Sequence, residues 1–151
     1  MKKKDNTEEK KDNRPRGLRN CNPGNIILPS EERMDKDKFY GELRPSRDPK
    51  FRTFINNAYG YRAMHYTLRR YKNQGINTMA QMINRWCPPS DKRNKTDVYI
   101  EHVEQWSGIG RDQIVDVSNM TIMCRLVAAM SRQENGVPAD MNEVRDGWIL
   151  L

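Results

Sequence analysis

SNMTIMCRLVAAMSRQENG, residues 118–136, is the stretch around which the rest of the chain is read. Met123, Val127 and Met130 recur at helical spacing, and Glu134 continues the stripe, each within about 40° of Met123 on a helical wheel. Polar residues precede the stripe, and Gly136 stands where a helix commonly ends in the left-handed conformation. The spacing therefore predicts a helix with an apolar face that carries a carboxylate at its C-terminal end. Apolar surroundings disfavour an ionised carboxylate, and so does the negative end of the helix dipole. Both keep a proton on Glu134 at higher pH than usual, as a general acid requires. The plainer alternative is a solvated glutamate at a helix end.

Working outward, the neighbouring segments are also helical. In NAYGYRAMHYTLRRYK (57–72), Tyr61, Met64, Leu68 and Tyr71 recur at spacings of three and four, leaving Tyr59 and Tyr66 partly exposed. Thr78 and Gln81 form a capping box ahead of Met79, Met82, Ile83 and Trp86, and Pro88-Pro89 ends that helix. Thr96 is expected to cap a helix reaching Trp106, and Asp140 with Glu143 opens a last helix carrying Val144 and Trp148. Residues 29–54 read as a small irregular β-hairpin, one strand around Phe39, Tyr40 and Leu43 and the other around Phe51, Thr53 and Phe54, broken by Pro45 and Asp48-Pro49. The expectation is a mainly α domain of five helices with one minor hairpin. His65 reads as a surface residue, and His102 is given no chemistry.

RGLRNCNPGNIIL (16–28) holds Asn20, Asn22 and Asn25 within six positions, beside Pro23 and Gly24. Asparagines favour turns because their side chains bond nearby backbone, so a tight turn entering a short extended segment at Ile26–Leu28 is one reading. The other is a loop that presents three amides and an arginine to a sugar or acetamido group. Glu42 is the second carboxylate of interest, and Asp48 is a further one. Tyr61, Trp86 and Tyr99 offer rings that stack on sugars, against the simpler assignment of helix-borne rings to the core.

Composition bounds the partners. The 151 residues carry a net charge of +7, with 36% apolar and 31% charged positions, and the pI is about 9.5. Residues 1–15 are charged and lack an apolar pattern, with six basic and four acidic side chains, so they read as a disordered tail. Six against four leaves that tail only +2, so the remaining basic excess belongs to one domain over 16–151. Such a surface suits nucleic acid, an anionic membrane or an acidic polymer such as a bacterial cell wall. No recognised nucleic-acid motif supports the first, and no apolar stretch approaches a membrane span. Cys21, Cys87 and Cys124 lack paired spacing and read as reduced thiols. The N-terminus has no hydrophobic region of a secretory signal, which implies cytoplasmic synthesis. With no phosphate loop, zinc spacing or nucleophile elbow, neither metal nor cofactor is expected.

Six blocks in order, RGLRNCNPGNI, DPKFRTF, GYRAMHYTLRRY, NTMAQMINRWCPP, TDVYIEHV and AMSRQENG, resemble a family of bacteriophage and prophage proteins described as virion structural or lysozyme-like. The resemblance covers residues 16 to about 136. It departs at Cys21, where the family usually has Asn, and in the loop Ser90–Lys95, which is usually shorter and carries Glu-Asn. AMSRQENG also resembles the helix end that carries the catalytic glutamate of lytic transglycosylases and related glucosaminidases. There an Asn- and Gly-rich turn follows the helix, whereas here NCNPGNI precedes it.

The resemblance thus implies a lysozyme-like, circularly permuted helical domain that cleaves the glycan strand of peptidoglycan. Glu134 would be the acid, Glu42 or Asp48 a second carboxylate, and Asn20, Asn22, Asn25, Tyr61 and Tyr99 would bind substrate. The partners implied are peptidoglycan and virion components, with the site of action at the cell wall or in a phage particle. A non-catalytic virion component that binds the wall is the alternative.

Overall fold

Residues 11–151 are described in a computed structural model; residues 1–10, most of the expected charged tail, lie outside the described residues. The order is α1 (Arg16–Arg19), β1 (Glu42–Leu43), β2 (Thr53–Phe54), α2 (Asn57–Asn73), α3 (Met79–Trp86), α4 (Thr96–Ser107), α5 (Met120–Asn135) and α6 (Met141–Ile149). The five long helices stand where helical spacing puts them, and β1 pairs antiparallel with β2, Glu42 opposite Phe54 and Leu43 opposite Thr53. The chain is mainly α with a small hairpin. The strands are shorter than the aromatic pattern implies. Ile27 bridges Phe51 in isolation, so Phe51 ties the Asn-rich segment to the hairpin. No helix of the described residues is long and apolar enough to cross a membrane.

The helix α5 is the axis. Asn119 caps it by accepting from the Ile122 N–H, and Gly136 ends it at φ 71°. Met123, Leu126, Val127 and Met130 are fully buried along its inner face. Tyr61, Met64 and Leu68 of α2, Met82 and Ile83 of α3, and Val103 of α4 complete the core. On the other flank of α2, Gly147 of α6 comes so close that a Cβ would stand 2.7 Å from Tyr61 Cβ.

Three readings of the sequence are corrected. Arg16–Arg19 forms one helical turn that is too short to show a period. Thr96 does not cap α4: it is the first helical residue, and its hydroxyl donates to the Cys87 carbonyl at 2.7 Å, tying α4 to the end of α3. His65 is fully buried, its Nε2 3.0 Å from the Val144 carbonyl oxygen and its ring 5.6 Å edge-on from Trp148. It stands four residues after Tyr61, on the face that α6 covers.

Burial lowers the His65 pKa from 6.5 to about 4. Between those values the unfolded chain binds a proton that the native chain refuses, so stability is lost as pH falls from about 6.5 toward 4. The expected loss is about 3 kcal/mol. Denaturant melts across this range should show that decline, and His65→Gln should flatten it.

Candidate active site

The last turn of α5 brings the Glu134 carboxylate against three donors from three segments. Asn25 Nδ2 donates to Oε1 at 3.2 Å, Trp86 Nε1 to Oε2 at 3.2 Å, and the Tyr99 hydroxyl to the same Oε2 at 2.9 Å. Asn25 comes from the turn after α1, Trp86 is the last residue of α3, and Tyr99 lies one turn into α4.

The local sequence fixes each donor. Asn25 sits at φ 48°, a left-handed conformation that asparagine tolerates. Its turn is braced by Asn22, whose Nδ2 donates to the Ile26 and Arg52 carbonyls at 3.0 and 2.9 Å and whose Oδ1 accepts from Ile26 N–H at 2.9 Å. Asn135 clamps the same turn onto α5, its Nδ2 2.8 Å from both the Pro23 and Ser131 carbonyl oxygens. Gly24 lies under the indole, where a Cβ would stand 2.8 Å from Trp86 Cζ2. Gly60 lies under the turn, where a Cβ would stand 2.2 Å from the Cys21 carbonyl oxygen. Any larger side chain at either position displaces a wall of the site.

Two opposing effects act on Glu134. Burial raises its pKa above the ordinary carboxylate value, while the bonds from Asn25, Trp86 and Tyr99 pull it down. Burial is the larger, so the protonated form is favoured beyond its usual range. Burial also raises the Tyr99 phenol well above its normal value, reinforced by the charge of Glu134. Tyr99 therefore stays a proton donor to Glu134.

The other residues singled out in the sequence lie elsewhere or act differently. Asn20 turns to Asp48, Nδ2 to Oδ2 at 3.1 Å. Asp48 is also gripped by Arg16 through two 2.7 Å bonds, which hold its pKa far below the ordinary range. The Glu42 side chain has no exposed surface and is paired with Arg44 and with Arg52. Tyr61 is 1% exposed, and its hydroxyl bonds Ser131 at 2.9 Å. Tyr99 is also a core ring, so neither tyrosine offers a face to a sugar.

Half-buried Trp86 keeps that opportunity, and so does a group the sequence reading passed over. His102 stacks on Trp106 at 4.8 Å, Arg132 lies over the same indole at 4.3 Å, and His102 Nδ1 is 2.7 Å from Oε1 of Gln133, the neighbour of Glu134. Asp91 was also passed over. Arg93 donates to it at 2.9 Å, which lowers its pKa to about 2, and the Cys87 thiol is pushed up mainly by burial, with smaller contributions from the charges of Glu134 and Asp91.

Tyr99→Phe tests the balance at Glu134. Losing the 2.9 Å donor removes an interaction that favours the ionised form, so the carboxyl pKa should rise further. Carboxyl-labelled NMR titration of Glu134 should show the midpoint moving to higher pH. A downward move would mean that the Tyr99 bond does not favour the ionised form.

No model of a known protein family matches this chain, and a search of curated proteins returns no match.

Proposed function

We propose that this protein cleaves the glycan strand of bacterial peptidoglycan, with Glu134 as its general acid, on a lysozyme-like domain whose Asn-rich turn comes before the acid helix instead of after it. The supporting observation is the carboxyl group held at the end of a buried helix face by Asn25, Trp86 and Tyr99. Burial favours the protonated form of the resting acid. The three donors then stabilise the carboxylate left when that proton passes to the glycosidic oxygen, so they act most strongly as charge develops. Asn25 suits both states. Its Oδ1 is buried with no partner among the described residues, and reversing the amide would present that oxygen to a protonated Glu134.

A hydrolase needs a second carboxyl group, about 5–5.5 Å away if retaining and about 6.5–9.5 Å away if inverting. Glu42 is enclosed in an ion pair, and Asp48 is held by Arg16, Asn20 and backbone N–H groups. A single-acid lytic transglycosylase fits better. Glu134 protonates the leaving oxygen, a hydroxyl of the substrate closes on the anomeric carbon, and the Glu134 carboxylate takes up that hydroxyl's proton. The glycosidic bond breaks, an internal ether forms, and no water is consumed.

Digestion of purified peptidoglycan, with products read by mass spectrometry, tests this. Anhydro ends support the transglycosylase. Reducing ends mean a hydrolase and overturn the single-acid reading. Wall binding without release supports a non-catalytic virion component.

A further inference from the structure

A second site lies on the outer face of α2. The segment 33–40 and α2 enclose a pocket of about 380 Å³ lined by Arg33, Lys36, Lys38, Arg62 and Arg70, with Tyr40 and Tyr66 between them. Arg62, Tyr66 and Arg70 follow one another at four-residue spacing, so they share one face of the helix. Asp37 also lines the pocket, but its carboxylate bonds Arg52 at 2.9 Å. Among the described residues, no carboxylate lies within ion-pair distance of the five pocket cations. Arg14, Arg16, Arg44, Arg52, Arg93 and Arg111, outside the pocket, each have an acidic partner, whereas Arg47, Lys92, Lys95 and Arg125 also lack one among the described residues, so it is the gathering of five such cations round one pocket that sets this face apart. Five like charges gathered with Asp37 as the one carboxylate in the lining repel one another, and a bound polyanion relieves that repulsion.

The rings brace the pocket. The Arg62 guanidinium lies over both tyrosines, 5.1 Å from the Tyr40 centroid and 5.7 Å from that of Tyr66, and its Nε donates to the Leu150 carbonyl at 3.1 Å. Tyr40 also leans on Tyr59 at 5.7 Å, and Tyr66 meets Phe39 edge-on at 6.2 Å. Each ring is thus braced by a neighbouring ring and by Arg62, while Tyr40 stays 66% and Tyr66 41% exposed. The five gathered cations supply the recognition of an anion. Arg62 and Arg70 are eight residues apart, roughly 12 Å along the helix. A single phosphate does not span that distance, whereas a chain of repeated phosphates does.

We propose that this pocket binds a phosphodiester-linked polyol chain, poly(glycerol phosphate) in its simplest form, which holds the protein at the wall; the choice of a wall polymer among polyanions rests on the peptidoglycan reading above. The site is separate from Glu134, so anchoring and cleavage are separable functions.

The test is titration of the full chain with poly(glycerol phosphate) and with a twenty-residue oligothymidylate, at several salt concentrations. R33Q/K36Q/K38Q/R70Q removes four pocket cations, and R47Q/K92Q/K95Q/R125Q removes four exposed ones elsewhere. K36Q/K38Q is the milder companion should the fourfold variant fold poorly. The wild type should prefer poly(glycerol phosphate). The pocket variant should lose roughly tenfold or more in affinity, with a salt slope shallower by roughly three, and the control variant less than about threefold. Equal losses in the two fourfold variants would reduce the pocket to general surface charge and overturn the site. Binding of the oligothymidylate as tight as that of poly(glycerol phosphate) would make the surface a nucleic-acid site and overturn the assignment. Glu134→Gln should bind the polymer like wild type. Cleavage is scored separately on peptidoglycan stripped of phosphate polymers, so loss of either function leaves the other measurable.

Discussion

Glu134→Gln is expected to abolish release of soluble glycan fragments from peptidoglycan, a fall of about 10²–10⁴-fold, while the protein stays folded. The amide keeps the shape of the carboxyl group. Its oxygen accepts from Trp86 and Tyr99, and its NH₂ faces Asn25, whose unpartnered Oδ1 takes that bond after the side-chain amide reverses. What is lost is the transferable proton. The fold should gain. Since burial raises the pKa of Glu134, the native state holds its proton at pH values where the unfolded chain has released it. Wild-type stability therefore falls as pH rises from the ordinary carboxylate value through the raised one. Glu134→Gln escapes that loss, so it should be at least as stable as wild type at neutral pH, with the gap closing in acid. Thermal melts at pH 4 and pH 7, beside the digestion assay, separate the outcomes. A stable, inactive variant supports the acid. A stable variant with wild-type activity removes Glu134 from the mechanism.

The position of Glu134 was legible because helical period is a local property. Three apolar residues at fixed spacing define a face, and the next position on that face is the carboxyl group. Its partners were legible only in part. A turn crowded with amides marks the segment that supplies Asn25, but which amide reaches across depends on Asn22, bonded to Arg52 in the hairpin segment, and on Asn135, bonded to Pro23 more than a hundred positions away. Trp86 and Tyr99 stood out as aromatic rings. Their role as N–H and O–H donors follows from how α3 and α4 lie against α5, which no one-dimensional pattern contains. Glu42 shows the opposite case. A carboxylate beside a glycine in a hairpin looks available, and only the fold reveals the arginine beneath it. His65 was readable in principle. Its offset from Tyr61 places it on the buried face, and the polarity of imidazole hid that.

Arg52→Met should be the most destabilising single substitution in the hairpin, by about 3–5 kcal/mol, because it leaves the buried Glu42 charge with Arg44 as its one charged partner, beside the Phe39 N–H. Arg52 Nη1 donates to Glu42 Oε1 at 2.7 Å and to the Asp37 carbonyl at 3.0 Å, Nη2 to Asp37 Oδ1 at 2.9 Å, and Nε to the Ile27 carbonyl at 3.1 Å. The guanidinium also lies 4.7 Å from the centre of the Phe39 ring. One side chain thus joins the loop before β1, the hairpin and the extended segment after the Asn-rich turn. The pair Glu42→Met with Arg52→Met should recover part of the loss, since it removes both buried charges and leaves Arg44 its bonds to the Met34 and Asp37 carbonyls. Denaturant melts of the two single variants and the double close this cycle. A cost below about 1 kcal/mol for Arg52→Met would mean that water reaches Glu42 and that the brace is not one. The consequence extends to the active site through the backbone. The Arg52 N–H donates to the Ile26 carbonyl at 2.9 Å, and the Arg52 carbonyl accepts from Asn22 at the same distance. The turn that aims Asn25 at Glu134 is therefore attached to the strand that Arg52 anchors. Loosening it should lower glycan release even at temperatures where the helical core remains folded, a loss in activity ahead of the melting transition that Glu134→Gln would not show.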